Sequence, residues 1–481
     1  MNNNIKTFKN VKGKKCNNSR TINLLIEIIL IILLNIITRK DVKYESKTEN
    51  VLEKRINDII ENNTYFKNHF RENILIIDDN LIKRTILECS IICKGSLSDT
   101  QDFLRDIYKY NCSIGKISKI INEFSSKARQ FNQSVDLSKI KVGANDEIFQ
   151  ASKPVLVGVE PISNYIYLMQ LEEKRDGETW HFYLETKSCE QGLKLEKSVS
   201  DAGRGLIKGI KMSFDGNCKI FADTFHIERE FLKGITSLEN NAYAKIRKEY
   251  TQEKIYKRSK KNEDEYLNTL IETDIAIDNY DNCYILYEWF RENIAIGGYN
   301  YLERLENIKC ITDELEKYKN ENTYLKKAYD FIKNNTESLL RFVEDFYYRI
   351  HIISQDTGID PIVFKLMWKQ LIYNSYSKEY GDIEVQLYTI AKKDYHSARN
   401  LFTELIRNTI RASSIVENIN SLLRPYLTLK KTPNQNFLDL LQLYFNTRKF
   451  KRSRIKDKIG KSPLEMYTNK EHPSFFEILG I

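Results

Sequence analysis

Residues 142–171 read VGANDEIFQASKPVLVGVEPISNYIYLMQL, and this stretch decides the fold. Upstream of it apolar residues recur at helical spacing; from Val142 the period changes to that of extended chain. Three strand-like runs follow, one ending at Phe149, one over 154–159 and one over 165–171, with turn chemistry from Pro161 to Asn164. Connections this short leave no room for a crossover, so the three strands form an antiparallel meander.

Working outward toward the C-terminus, the pattern predicts a helix over 177–193, a strand over 197–200, a helix over 204–210 and a strand over 219–222. The order β-β-β-α-β-α-β places the chain in the α/β class. Residues 228–408 are almost wholly helical in pattern, poor in Pro and Gly, with long amphipathic stretches such as 302–346, and read as an inserted all-α domain. No repeat of fixed period and no sustained heptad emerges, which excludes a solenoid and a named coiled coil.

Toward the N-terminus, Ile56, Ile59 and Ile60 and then Ile82, Ile86 and Leu87 mark helices. Over residues 94–129 a helix at 98–108 is followed by the turn Tyr110-Asn111-Cys112 and by Ser113, an N-cap for a second helix. This is a helix-turn-helix pattern. The second helix carries Lys116, Lys119, Asn122, Lys127 and Arg129 around an apolar stripe of Ile117, Ile120, Ile121 and Phe124, which suits a helix that reads a DNA groove and equally a small helical bundle.

At 481 residues the chain has room for two or three folding units, and 41% hydrophobic with 29% charged residues excludes the disordered and membrane classes. The net charge of +9 concentrates near the C-terminus, at Arg448, Lys451, Arg452, Arg454 and their neighbours up to Lys461. Such a segment neutralises phosphates and makes binding salt-dependent, unless it is only a solvated basic surface. The eight cysteines include no CxxC pair and read as reduced thiols. Ile22 to Ile37 is the one membrane-like stretch. It is interrupted by Asn23, Glu27 and Asn35 and falls short of the roughly 20 apolar residues of a spanning helix, so a buried or self-associating helix is expected, with a signal peptide or membrane anchor as the alternative, and the reduced thiols point to a cytoplasmic protein.

Three carboxylates stand out. Asp146 lies mid-strand beside Glu147, and alternation sends only one of the two to a given face. Asp201 follows the strand Ser198-Val199-Ser200, at the C-terminal end where open sheets place ligand groups. The Gly203-Arg204-Gly205 beside it lacks the third glycine and the βαβ setting of a dinucleotide loop. Glu417 has capping-box spacing to Ser414, a purely structural alternative, but it also shares a helix face with Asn420, Ser421 and Arg424, opposite Ile415, Ile419 and Leu422. Hard oxygen ligands on separate elements are what two Mg²⁺ (or Mn²⁺) ions need for phosphodiester chemistry. Spacing alone does not select Glu417.

Three segments together carry a resemblance: Asp146-Glu147-Ile148-Phe149 with Lys153-Pro154-Val155-Leu156-Val157-Gly158-Val159, then Ser200-Asp201-Ala202-Gly203-Arg204-Gly205-Leu206, then Ser414-Ile415-Val416-Glu417-Asn418-Ile419-Asn420 and on to Arg424. In order and element type they resemble bacterial DDE transposases, over roughly residue 94 to the C-terminus. That resemblance implies an α/β fold with a ribonuclease-H-like mixed sheet, a large all-α insertion and an N-terminal helix-turn-helix region. It also implies Asp146, Asp201 and Glu417 as catalytic, metal-binding residues, two Mg²⁺ ions, and an auxiliary role for Asp223 and His226, although His226 reads equally as a partly buried imidazole hydrogen-bonded to Asp223. The partners it implies are double-stranded DNA, as element terminal repeats and target, and further copies of the chain in a homodimer or higher assembly at synapsis, with no small-molecule substrate and no membrane. The domain division expected is an apolar/basic arm over 1–50, a helical DNA-binding region over 51–135, the first part of the core over 136–227, the insertion over 228–408, the glutamate helix over 409–440 and a basic tail over 441–481. The alternative is a catalytically inactive, transposase-derived DNA-binding protein.

Overall fold

A computed structural model describes residues 77–150, 153–200, 203–298, 300–411, 414–429, 434–453 and 455–481. The expectations for residues 22–37, for the helix at Ile56, Ile59 and Ile60, and for Asp201 and Arg454 lie outside these. The chain divides into two compact units, Met1–Asp78 and Asp79–Ile481, and every regular element of the described residues belongs to the second. Among the described residues no helix is long and apolar enough to cross a membrane.

Three helices come first: α1 (Asp79–Ile91), α2 (Leu97–Tyr108) and α3 (Ile114–Ser134). Ser96 and Asp99 close a capping box at the start of α2, and the Ser113 hydroxyl accepts from Lys116 N at 3.2 Å, the N-cap read from the sequence. Strands β1 (Val142–Gln150), β2 (Lys153–Glu160) and β3 (Tyr165–Leu171) follow, then helix α4 (Gly177–Gln191), strand β4 (Lys197–Ser200), helix α5 (Arg204–Ser213) and strand β5 (Lys219–Ala222). The result is a mixed α/β architecture with one five-stranded sheet in the order β3-β2-β1-β4-β5. β2 runs antiparallel to both neighbours, with Asp146 opposite Val157, while β1, β4 and β5 are mutually parallel, with Ala144 beside Val199 and Ser200 beside Ala222.

Both faces of the sheet are covered, which is why β2 is a continuous apolar run with only Lys153 exposed. On one face Leu156, Tyr167 and Ile220 pack with Trp180 and Leu184 of α4 and with Leu206 and Ile210 of α5. The two helices approach closely because Gly205 and Gly209 face α4: a methyl group on Gly209 would overlap the Trp180 side chain, and one on Gly205 the Arg175 carbonyl. The glycine at 205 therefore has a packing role, which sequence reading did not give it.

After β5 every regular element of the described residues is helical: α6 (Thr224–Ser259), α7 (Glu263–Ile294), α8 (Tyr301–Leu315), α9 (Thr323–Thr357), α10 (Pro361–Gln370), α11 (Lys378–Ala391), α12 (Tyr395–Arg407), α13 (Ser414–Leu429), α14 (Gln435–Thr447), α15 (Pro463–Thr468) and α16 (Phe475–Leu479), with single 3-10 turns at Lys392–Asp394 and Lys456–Lys458. α6 runs unbroken from Thr224 across residue 228. α9 docks on the second sheet face, where Phe342, Val343 and Phe346 meet Val199 and Phe221. The segment after residue 441 is folded: α14 continues through it, and Lys458 is buried and donates to Asn164 Oδ1 at 2.7 Å.

α14 solves a problem posed by β3, an edge strand whose outer N–H and C=O groups lack a neighbouring strand. Three side-chain amides on one helix face take their place. Asn446 accepts from Ile166 N at 2.8 Å and donates to Ile166 O at 2.9 Å; Gln442 donates to the same carbonyl; Gln435 accepts from Leu171 N and donates to Met169 O. Asn446→Ala strands a buried N–H while Gln442 still serves the carbonyl. The expected cost is about 1–3 kcal/mol, read as a lower urea midpoint with an unchanged m-value; an unchanged midpoint would show that water takes over the edge.

Candidate active site

Strand alternation separates the two carboxylates at the centre of β1. Glu147 turns toward α4, where Trp180 Nε1 donates to its Oε1 at 3.0 Å and Arg175 lies 3.7 Å from its Oε2. Asp146 turns to the opposite face. There its Oδ1 accepts from Glu147 N at 2.8 Å and its Oδ2 accepts from Asn420 Nδ2 of α13, also at 2.8 Å.

α13 packs on β1 and β2, and its Val416, Ile419, Asn420, Leu423, Tyr426 and Leu427 are buried, Tyr426 against Phe437 and Phe445 of α14. The polar face read from the sequence is thereby corrected: Asn420 is 2% exposed and belongs to the buried side, while Leu422 is 41% exposed. The physical reason is Asp146, a half-buried acceptor that a buried amide satisfies and a leucine would not. Glu417 sits one turn earlier, at the edge of this face. Its Oε1 lies 3.2 Å from Arg229 Nη1 of α6 and its Oε2 3.4 Å from Arg424 Nη2. The side chain of Ser414, its capping-box partner by spacing, lies outside the described residues.

The first turns of α6 form the other wall. Asp223 follows β5 directly, is buried, and caps α6 by accepting from Phe225 N at 2.8 Å, while its own N–H donates to Ser200 O. His226 is half-buried, with Nδ1 3.5 Å from Arg229 Nη2, and Arg229 also lies over the Phe225 ring. Arg229 went unnoticed in the sequence. The signal was its i+3 spacing from His226, which puts both on one helix face. The lead-in to α13 is fixed by Arg411, whose carbonyl accepts from Thr224 N and Oγ1 and whose guanidinium donates to Ile294 O at 2.6 Å; burial pushes its pKa below the usual arginine value.

Among the described residues, five buried side-chain polar atoms lack a hydrogen-bond partner, and two belong to this region: Asn420 Oδ1 beside Asp146 and Arg229 Nε beside Glu417. Orphaned polar atoms in a native fold mark a place where water, an ion or a ligand completes the set. The oxygens here, the carboxylates of Asp146 and Glu417 and the orphaned Asn420 Oδ1, suit a hard divalent cation, whereas Arg229 Nε is an N–H donor and suits an anion. No three metal-ligating side chains cluster among the described residues, and Asp201, the third expected carboxylate, lies outside them.

The proposed DNA-contacting residues divide. On α3, Lys119 is exposed and Lys116, at the solvent side of the first turn, donates to Tyr110 Oη at 2.7 Å. The remaining three face the C-terminal helices. Asn122 Oδ1 accepts from Asn436 Nδ2, Lys127 donates to Leu479 O at 2.8 Å, and Arg129 holds Asp439 and Asn436, each at 2.7 Å. Arg448, Lys451 and Arg452 are exposed, as is Arg424.

Replacing Asn420 by Asp tests the Asp146 contact by pH. Two carboxyls at hydrogen-bond distance share a proton, so one folded-state pKa rises above its unfolded value. Stability of Asn420→Asp, measured in EDTA, is then closest to wild type below about pH 4 and falls behind as pH rises toward 7. A pH-independent difference would mean that the two side chains do not meet.

In comparisons with known proteins, no family model matches this chain and no curated protein matches it in sequence.

Proposed function

We propose that this chain is a DDE-type DNA transposase, which cleaves the ends of a mobile element in a metal-dependent reaction and transfers the strands into target DNA. One observation carries the reading: Asn420 donates to Asp146, bringing the helix that bears Glu417, 271 positions later in the sequence (417 − 146), onto the sheet face that bears Asp146. The sheet order, with β2 antiparallel to its neighbours, supports a ribonuclease-H-like core. The helical run between β5 and α13 supports the large insertion.

Asp146, Asp201 and Glu417 would hold two Mg²⁺ or Mn²⁺ ions, which when bound supply an activated oxygen nucleophile and stabilise the leaving oxygen. The chain's own groups do the rest. Asn420 fixes the rotamer of Asp146 and so holds its carboxylate at the site. Asp223 ties the end of β5 to the end of β4 and starts α6, so that His226 and Arg229 line the wall facing Glu417. Arg229 and Arg424, which pair with Glu417, would supply cations for the phosphates beside the scissile bond. Lys116, Lys119, Arg448, Lys451 and Arg452 remain available to the DNA backbone outside the site, and Asn122, Lys127 and Arg129 act in the scaffold that carries them.

The test is cleavage and joining of DNA ends taken from the borders of the element that encodes the chain, with Mg²⁺ or Mn²⁺, alongside a binding assay. Asn420→Ala is expected to lower the rate by about 10–100-fold, as loss of a group orienting a metal ligand does, and Glu417→Gln to lower it further, with DNA binding retained in both. If wild type binds these ends and never cuts them, the catalytic reading gives way to a transposase-derived DNA-binding protein. A wild type that cuts no better than Glu417→Gln removes Glu417 from the chemistry.

A further inference from the structure

The helical hairpin of α6 and α7 extends well past the core it belongs to. Buried residues on α6 end at Ala242, although the helix continues to Ser259, about 25 Å further at 1.5 Å per residue. On the returning limb the fully buried positions are Thr269, Thr273 and Ala276, small side chains, and nearer the tip the Tyr266 ring stacks on Tyr256 of α6 at 5.5 Å. A seam that buries so few large apolar side chains contributes little, because helices in proteins draw most of their stability from burying an apolar face.

That apolar face exists, but on the outside. On α7, Leu267, Ile271 and Ile275 form one stripe, opposite the seam, and each is about half exposed. On α6, Tyr243, Ile246 and Tyr250 form another at i, i+3, i+7, all exposed. Among the described residues nothing covers either stripe. Their charges are opposite. Residues 243–259 carry six Lys or Arg against two Glu, and residues 263–281 carry seven Asp or Glu and no Lys or Arg.

We propose that the α6–α7 hairpin is a dimerisation arm that pairs with the same hairpin of a second copy of this chain, antiparallel about a two-fold axis, to form a four-helix bundle. The order of residues along the limbs selects this partner. From base to tip, the α6 stripe passes from apolar (Tyr243, Ile246, Tyr250) to basic (Lys254, Lys257). From tip to base, the α7 stripe passes from apolar (Leu267, Ile271, Ile275) to acidic (Asp278, Asp281). Setting the tip of one arm against the base of the other lays apolar on apolar and basic on acidic, and the two-fold axis repeats both contacts. Within one arm the same attraction is already used once, where Lys245 and Lys248 hold Glu272 at 2.8 and 3.2 Å. The pairing of arms is independent of the chemistry at Asp146 and Glu417.

Sedimentation velocity on the full chain at micromolar concentration, without DNA, tests it. Wild type is expected to be dimeric, and Ile271→Asp with Ile275→Asp monomeric at unchanged helical circular dichroism. Asp278→Lys with Asp281→Lys should raise the dimer dissociation constant about tenfold or more, and adding Lys254→Glu with Lys257→Glu in the same chain should restore it. The restoration separates a contact from a folding defect. A monomeric wild type overturns the proposal. So does a dimer indifferent to the Ile271 and Ile275 changes, a charge reversal the second reversal does not repair, or variants that lose DNA binding while remaining dimeric, which would assign the arm to DNA.

Discussion

Two adjacent carboxylates at the centre of β1 set the terms for everything packed around it. The pleat must send Asp146 to one face and Glu147 to the other, and in a sheet covered on both sides each needs a partner or carries a heavy desolvation cost. Glu147 takes the indole N–H of Trp180, the residue around which α4 and α5 pack. Asp146 takes the amide of Asn420, which docks α13. Asn145, between Ala144 and Asp146, shares the Glu147 face and is itself buried, donating to Ser198 Oγ of β4 at 3.0 Å and accepting from Tyr167 Oη of β3. A one-residue slip of β1 would break all of these at once, so the register is fixed by polar bonds as well as by the apolar pattern.

The return of the chain from its long helical excursion to this strand depends on α9. Arg341 donates to Ile220 O of β5, Asp345 pairs with Lys197 of β4, and Arg349 donates to Asn408 O in the segment leading to α13. One helix thus holds the outer strands on one side and the lead-in to α13 on the other. Arg304 and Arg411 add a clasp, each with its guanidinium 5.7 Å from the centre of the Phe342 ring of α9 and each donating to carbonyls at the C-terminal end of α7. Arg304 is wholly buried, and desolvation brings its pKa down to about 10, a cost offset by three carbonyl partners, those of Asn293, Ala295 and Gly297.

The strands were legible in the sequence because each announces itself locally: β2 as an apolar run, β3 bounded by the turn at Pro161 to Asn164, β4 and β5 by the helices between them. The same holds for the Ser113 cap and for the split of Asp146 from Glu147, which follows from a period of two. What could not be read was long-range. Asn420 counts as a polar-face residue on a helical wheel, and only the presence of Asp146, which no local pattern reveals, turns it inward and leaves Leu422 exposed. Arg129 and Lys127 look like phosphate contacts until Asp439 and the Leu479 carbonyl, more than 300 residues away, appear beside them. The role of Gly205 is hidden for the same reason: what it makes room for is the Arg175 carbonyl, in the chain leading into α4.

These contacts divide the candidate site into a fixed half and an exchangeable half. The Asn420 bond to Asp146 joins a buried amide to a half-buried carboxylate, so breaking it leaves a charged acceptor short of a partner, and the position of α13 on β1 is held accordingly. The Glu417 pairs are of another kind. The Glu417 side chain is 22% exposed, that of Arg229 38% and that of Arg424 59%, and ion pairs so open to water contribute at most about 1 kcal/mol. Rearranging them is cheap. On the proposed reading, this is what a two-metal site for a polyanion requires: a carboxylate released from its arginines at little cost to take up divalent cations, and guanidiniums released in the same step to face phosphate, while the strand and helix that carry the acids stay where Asn420 has put them.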